Sequence, residues 1–259
     1  SPIASTTSAT ASADGIVSAY FQKHRELGAR ERHALAETVY EVLRQRLRLQ
    51  HLAQSGSGPL ERRLAIAGWQ GDERALQVAM SAGERAWLDG LRAIDLASLP
   101  EQLRHNLPDW LASRLRDELG ETDFTSLAAA LLEPAPLDLR VNVLKARRED
   151  VQRALAAEGI AAAPTPYSPW ALRITGRPSV IRLQLFKDGA FEVQDEGSQL
   201  LALLVEPRRG EMVVDFCAGA GGKTLALGAL MRSTGRLYAF DTSGHRLDAM
   251  RMRLERSGL

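Results

Sequence analysis

Apolar residues recur every three or four positions through the first half of the chain. In "RERHALAETVYEVLRQRLRLQHLA", which begins at Arg30, they follow this spacing from Leu35 to Leu49, with arginine and glutamate on the other face. This period is typical of amphipathic helices, and Gly56 lies just beyond the end of this one. Further helical stretches are predicted at 60–69, 73–80, 84–93, 109–118 and 123–132. Residues 14–132 are therefore predicted to form an all-helical bundle.

The period changes at "EPAPLDLRVNVL", where prolines precede a stretch of alternating residues. Residues 140–144 are predicted to form a strand, and "REDVQRALAAEG" a short amphipathic helix that ends at Gly159. Strand-like runs follow at 171–175, 180–186 and 190–194. This β-α-β-β order predicts a small α+β subdomain over residues 133–193.

Residues 194–259 begin with a helix, "DEGSQLLALLVE", that Asp195 is expected to cap. The stretch "VVDFCAGAGGKTLALGALMRSTGRLYAFD" then predicts a strand, a glycine-rich turn, a helix and a second strand ending at Asp241. A strand–helix–strand unit of this kind indicates a parallel sheet. The predicted fold is multidomain: an all-α N-terminal bundle, a small α+β subdomain and the beginning of an α/β Rossmann-like domain. Residues 1–13, which are small and polar, are predicted to be a disordered tail.

The composition narrows the class of protein more than its function. Hydrophobic residues make up 45% and charged residues 25% of the chain, and the formal net charge is +1, so overall charge does not indicate a polyanion partner. The single cysteine, Cys217, excludes an intrachain disulfide and a cysteine-rich metal site, and no metal is expected. The N-terminal sequence lacks a secretory pattern and no apolar run is long enough to span a membrane. These features predict a cytoplasmic protein without a membrane partner.

The glycine turn fits three classes of ligand, and its spacing discriminates among them. A phosphate loop that ends at Gly222 needs its first glycine at the position of Cys217. A dinucleotide-binding turn begins correctly at Gly219 and Gly221 but needs a third glycine at the position of Thr224. Both phosphate-bearing classes are therefore disfavoured, and S-adenosyl-L-methionine, which carries no phosphate, is the predicted cofactor.

Asp241 ends the second strand, where a carboxylate that binds both ribose hydroxyls is expected. The alternative role is an N-cap for the following helix, which Ser243 could also provide. Lys223 has a simpler interpretation as a surface residue in the first turn of its helix.

Four stretches together resemble one enzyme family: "QDEGSQLLALL", "VVDFCAGAGGKT", "YAFD" and "RLDAMRMRLERSGL". They are similar to the RNA cytosine-C5 methyltransferases of the Sun/Nol1/Nop2 family, in particular to bacterial ribosomal RNA members. Upstream, "PLDLRVNVLK" and "FKDGAFEVQDEGSQ" resemble the family's RRM-like subdomain, and "RERHALAETVYEVLRQ" with "LERRLAIAGWQ" its NusB-like RNA-binding domain. Family turns usually read Cys-Ala-Ala-Pro-Gly-Gly-Lys-Thr, whereas this turn has Gly219 and Ala220 in the middle.

The resemblance implies cofactor-binding roles for residues of the turn and of the next strand and helix. They are Cys217, Ala218, Gly219, Ala220, Gly221, Gly222 and Lys223, with Asp241 as the ribose carboxylate and Arg246 near the adenine. Arg246 is equally compatible with a solvated helix position. Arg140 and Asn142, in "RVN", match a motif that either positions RNA or braces the subdomain, and bracing is favoured. The implied partner is RNA, ribosomal RNA in particular, and the oligomeric state stays open.

The family's chemistry needs two cysteines. One thiolate adds to C6 of the cytosine so that C5 accepts the methyl group, and the second helps remove the C5 proton. Helix N-termini favour thiolates, but the place of Cys217 in the cofactor turn favours a small packing residue over a nucleophile. We therefore expect a truncated, inactive chain that contains no catalytic residue and binds cofactor weakly at best. The alternative is a non-enzymatic RNA-binding protein built from the same upstream domains.

Overall fold

Helices make up the first part of the chain in the computed structural model, which describes residues 12–259. They are α1 Ala13–Lys23, α2 Ala29–Arg44, α3 Arg46–Leu52, α4 Leu60–Ala67, α5 Glu73–Ala79, α6 Ala82–Arg92, α7 Glu101–His105 and α8 Asp109–Leu131. The chain divides into two compact units after Pro134. In the first unit, the apolar faces of the early helices meet in a core that includes Val39, Val42 and Leu64.

The helices α1 and α7 were not predicted individually, and the predicted helices break or join at two unexpected places. The stretch predicted as one helix through Leu49 breaks at Gln45, whose backbone (φ −104°, ψ 31°) ends α2 and begins α3. The stretches 109–118 and 123–132 lie in the single element α8, interrupted only at Gly120 (φ 77°, ψ 169°). A glycine tolerates this left-handed φ because it has no Cβ, so the chain bends there without a loop.

The second unit begins with a four-stranded antiparallel sheet. Its elements are β1 Leu137–Val141, α9 Arg148–Ala157, β2 Ala162–Pro164, β3 Ala171–Ile174, α10 Gln184–Lys187 and β4 Phe191–Val193. The strand order is β2-β3-β1-β4, and Arg140 of β1 lies opposite Ala171 and Glu192. Leu139, Leu155 and Phe191 are fully buried in its core.

The predicted strand at 180–186 is wrong, because this stretch forms a 3-10 turn, Val180–Arg182, followed by α10. Leu183 has an extended backbone (φ −65°, ψ 145°) that separates the two short helical turns, and Val180, Leu183 and Phe186 all reach the core of the sheet. A strand would have placed Val180 and Leu183 on opposite faces. The short edge strand β2 was not predicted, since alanine and proline carry little strand signal.

The rest of the second unit is a parallel strand–helix–strand arrangement, as predicted. It contains α11 Glu196–Val205, β5 Met212–Asp215, α12 Gly222–Leu230, β6 Arg236–Ala239 and α13 Gly244–Ser257, with β5 and β6 parallel. Asp195 caps α11 by accepting a hydrogen bond from the Ser198 amide at 3.2 Å. Val213 and Leu237 pack against the helices, whereas Met212 on the other face of the sheet is 70% exposed.

The predicted disordered tail, residues 1–13, lies largely outside the described residues, which start with Ser12 as the N-cap of α1. Among the described residues, no helix is both long and apolar enough to cross a lipid bilayer.

Candidate cofactor site

The turn between β5 and α12 bends at two glycines with left-handed backbone. Gly219 has φ 55° and Gly221 has φ 85°, a region that other residues rarely adopt. A Cβ on Gly221 would lie 2.4 Å from Met250 Cγ on α13, whereas a Cβ on Gly219 would meet nothing within 4 Å. Gly221 thus lets α13 pack against the turn, and Gly219 leaves the backbone open to an approaching ligand.

Asp241 is hydrogen-bonded directly to this turn. Its Oδ2 accepts from the Gly219 amide at 2.8 Å and its Oδ1 accepts from the Ser243 amide at 2.8 Å. Ser243 is the N-cap of α13 but its own side chain makes no capping bond. Asp241 lies two residues before the N-cap of α13 and accepts from the amide of the N-cap residue, so it is not itself the N-cap considered as its alternative role. Its carboxylate joins the end of β6 to the turn.

Electrostatics keep the Asp241 carboxyl ionised. The amide hydrogen bonds from Ser243 and then Gly219, together with the positive charge of Arg246, lower the pKa of Asp241 below its ordinary value. Each carboxylate oxygen can accept more than one hydrogen bond. The anion at the end of β6 therefore retains acceptor capacity for hydroxyl groups.

The other predicted residues lie around the same turn. Ala218 is buried, and its amide donates to Phe240 O at 2.8 Å, which fixes the turn to the end of β6. Lys223 is half-buried and its Nζ lies 3.4 Å from Ser198 Oγ of α11, so it is not a freely solvated surface residue. Arg246 is exposed on α13.

Cys217 is exposed, which contradicts its prediction as a packing residue. The preceding Phe216 is also exposed, at 78%. Both follow the last residue of β5, Asp215, at the point where the chain leaves the sheet and turns toward Gly219. Because Cys217 lies beyond the end of β5, its thiol is exposed at the surface of the part of the chain that the structure describes.

Three contacts of the turn were not foreseen from the sequence. Thr224, 3% exposed, donates from Oγ1 to Asp215 Oδ2 at 2.6 Å, which joins the start of α12 to the end of β5. Met250 packs under Gly221. Arg253 donates from Nη1 to Ala220 O at 2.7 Å. The "GGKT" motif draws attention to Thr224, but no local pattern distinguishes Arg253 from the other arginines of α13.

Arg140 and Asn142 point into the protein. Arg140 is 2% exposed and donates from Nε to Gln194 Oε1 at 2.6 Å, and its burial lowers its pKa to about 10. Asn142 is 4% exposed and donates from Nδ2 to Gly189 O at 3.0 Å and to Ser257 O at 2.9 Å. These contacts favour the bracing role over a direct contact with RNA.

A cavity of about 360 Å³ adjoins the start of α12. Residues of α12, β6 and α13 line it, such as Thr224, Leu237 and Met250, and residues 217–223 of the turn are not among its lining residues. Within residues 12–259, no group of three or more histidine, cysteine, aspartate and glutamate side chains could hold a metal ion.

Two family models match consecutive parts of the chain. One describes the ferredoxin-like domain of RsmF/B-like methyltransferases and matches residues 107–181. The other describes the 16S rRNA methyltransferases RsmB/F and matches residues 202–259, which include the whole glycine turn and Asp241. The chain belongs to the RsmB/F methyltransferase family.

Relatives of this family agree with the match. A probable ribosomal RNA small subunit methyltransferase B from Synechocystis is 31% identical over 193 residues, 74% of this chain and 43% of that protein. Another from Bacillus subtilis is 30% identical over 59% of this chain and 34% of its own length. The chain therefore spans less than half the length of these RsmB relatives.

Solved structures share the fold. PH0851 superposes on 99% of this chain and 65% of its own length, with a TM-score of 0.76 at 20% identity. NSun6 from Pyrococcus horikoshii, solved with SFG, superposes on 58% of this chain and 63% of its own length, with a TM-score of 0.53 at 20% identity. At these identities the likeness describes the fold alone.

RsmB/F methyltransferases use S-adenosyl-L-methionine, and the turn of this chain is compatible with that molecule. Gly219 leaves space beside the backbone, and the ionised Asp241 is fixed next to it. The spacing disfavours a phosphate ligand, since Cys217 and Thr224 stand where the two phosphate-binding patterns need glycine.

Proposed function

We propose that the complete protein transfers a methyl group from S-adenosyl-L-methionine to C5 of a cytosine in RNA, with 16S ribosomal RNA as the substrate. Membership of the RsmB/F family supports the reaction class and the ribosomal substrate. The observation that carries the cofactor assignment is the bond between Asp241 Oδ2 and the Gly219 amide, because it holds an anion beside an open glycine turn whose spacing does not match the phosphate-binding patterns.

The cofactor supplies the methyl group, and the residues of this chain bind and orient it. In this proposal, residues 217–223 approach it with their backbone, and Asp241 accepts hydrogen bonds from its ribose hydroxyls. Arg246, on the same side of the turn as Asp241, lies near the adenine. The described sheet subdomain and the helical unit bind the structured RNA, mainly through shape and phosphate contacts.

Equilibrium dialysis with labelled S-adenosylmethionine tests the cofactor assignment. We expect Asp241→Ala to weaken binding by about tenfold or more, since it removes charged acceptors worth about 1.5–3 kcal/mol. Asp248→Ala is the matched control, because Asp248 is an exposed carboxylate of the neighbouring helix α13 that pairs with the exposed Arg251. Equal affinities of Asp241→Ala and wild type would refute the assignment.

We further propose that the 259 residues alone do not transfer methyl groups. Their one thiol, Cys217, belongs to the cofactor turn, whereas the proposed chemistry needs two cysteine thiols next to the cytosine that is methylated. Incubation of the polypeptide with tritiated cofactor and 16S ribosomal RNA should give no signal above a control without protein. Turnover that Cys217→Ser abolishes would instead identify Cys217 as the nucleophile.

For the complete protein, bisulfite sequencing should find a C5-methylated cytosine in 16S ribosomal RNA.

A further inference from the structure

The last helix, α13, is attached to the four-stranded sheet subdomain at its C-terminal half. Asn142 donates to Ser257 O, and Lys145 Nζ donates to Arg256 O at 2.6 Å. Arg256 also lies over the ring of Phe186, 3.9 Å from its centroid. The position of α13 therefore depends on the sheet subdomain as well as on β6.

Glu192 of β4 receives two arginines of α13. Its side chain is 5% exposed, and it pairs with Arg253 at 3.0 Å and with Arg256 at 2.5 Å. A buried carboxylate needs such partners, because an unpaired charge would be strongly destabilising. The ion pair with Glu192 holds the side chain of Arg253 in one rotamer, and Arg253 Nε also donates to Glu192 Oε2 at 3.1 Å.

The third guanidinium nitrogen of Arg253 reaches the cofactor turn. Its Nη1 donates to Ala220 O at 2.7 Å, and Ala220 is the residue between the two left-handed glycines, Gly219 and Gly221. A charged donor makes a stronger hydrogen bond than a neutral one. One guanidinium therefore links the carbonyl at the centre of the turn to a buried carboxylate of the sheet subdomain.

We propose that Arg253 is a positioning residue, which holds the Ala220 carbonyl so that the glycine turn keeps its cofactor-binding shape, and that Glu192 makes this shape depend on the sheet subdomain. Arg253 acts through the turn and does not itself touch the cofactor. The proposal rests on the proposed cofactor site, and it identifies a route by which contacts on the sheet subdomain change cofactor affinity.

Cofactor dialysis of Arg253 variants tests this role. We expect Arg253→Met to weaken binding of S-adenosylmethionine by about tenfold, because the cofactor must then order a turn that has lost one charged hydrogen bond, and Arg253→Lys to recover part of the loss. Arg251→Met is the control, because Arg251 is 78% exposed on the same helix.

The double variant Glu192→Gln/Arg253→Met should bind no worse than Arg253→Met, since both changes break the same connection between the sheet subdomain and the turn. Equal affinities of Arg253→Met and Arg251→Met, or an Arg253→Lys affinity no better than that of Arg253→Met, would overturn the proposal.

Amide hydrogen exchange separates positioning from general stability. In Arg253→Met, exchange should accelerate in residues 216–224 and stay unchanged in β1 and β3. Faster exchange throughout both sheets would show a purely structural role and overturn the proposal. If the complete wild-type protein does not bind the cofactor at all, the proposed function fails, and the exchange pattern alone still decides whether Arg253 holds the turn.

Discussion

Two buried polar side chains illustrate how single residues connect the parts of the second unit. Asn142 joins the loop after β1 to Gly189 O and to the end of α13, and its Oδ1 accepts from the Leu144 amide at 3.1 Å. Arg140 similarly joins β1 to Gln194, which precedes α11. Buried polar groups are costly unless all of them are paired, so these residues stabilise one arrangement of sheet and helix.

We expect Asn142→Ala to lower the free energy of unfolding of residues 135–259 by about 1–3 kcal/mol, because it leaves two buried carbonyls without donors. The amide hydrogen exchange rates of β1 measure this loss of stability. Gln184→Ala is the control, since Gln184 is exposed and bonds only to Asp188. A variant of unchanged stability but reduced RNA affinity would favour the RNA-positioning role instead.

For single residues, the sequence predicts which residues lie near the cofactor site better than it predicts the contacts that they make. The place of Asp241 after a parallel strand indicated that it would lie beside the glycine turn, because parallel strands end at one edge of a sheet, and it is hydrogen-bonded to Gly219. The bond of Arg253 to Ala220 could not be predicted, since it depends on how α13 rotates against the turn. The exposure of Cys217 was mispredicted because a small residue in a turn has no periodicity to indicate its face.

Among the elements, the helices are defined by their ends as well as by their apolar faces. In α6, Ser81 Oγ accepts from the Glu84 amide at 3.2 Å, and Glu84 accepts from the Ser81 amide at 2.8 Å. Hydrogen bonds from Arg62 and then Ser81 lower the pKa of Glu84 to about 2. Because this value lies below that of an unfolded glutamate, the contribution of Glu84 is complete above about pH 4.5 and is lost as the pH falls toward 2.

We expect Ser81→Ala to destabilise the helical unit by about 1 kcal/mol, the usual cost of losing an N-cap. Urea denaturation followed by the fluorescence of Trp87, within α6, is the measurement. Ser126→Ala in α8 should be neutral, because Ser126 is exposed and bonds only to the carbonyl of Thr122 one turn earlier. If both variants unfold at the same urea concentration as wild type, Ser81 contributes no cap energy.

The elements that the sequence predicted well are those with a long, regular period. The predicted helices and the parallel strand–helix–strand unit have such a period, since each repeats its pattern of apolar residues over several helical turns or a full strand. The stretch 180–186 does not, because seven mostly apolar residues fit a strand or a helical turn equally well. Packing of Phe186 and its neighbours on the sheet decides the outcome, and packing is not encoded locally.

In the whole molecule, two family models in series match about half of the chain, residues 107–181 and 202–259. The family of the chain could be inferred from the sequence because its motif lies in one continuous stretch, residues 194–224. The link from Glu192 through Arg253 to the turn joins residues far apart in sequence, so it required the structure.

The cofactor site is tested most directly by an NMR titration of the ¹⁵N-labelled 259-residue polypeptide, with S-adenosylmethionine in one series and magnesium ATP in the other. We expect S-adenosylmethionine to shift the amide signals of residues 217–223 and of Asp241, Asp241→Asn to abolish these shifts, and ATP to leave the turn unchanged. Shifts of the turn by ATP alone, or cofactor-induced shifts that avoid the turn and Asp241, would contradict the cofactor assignment.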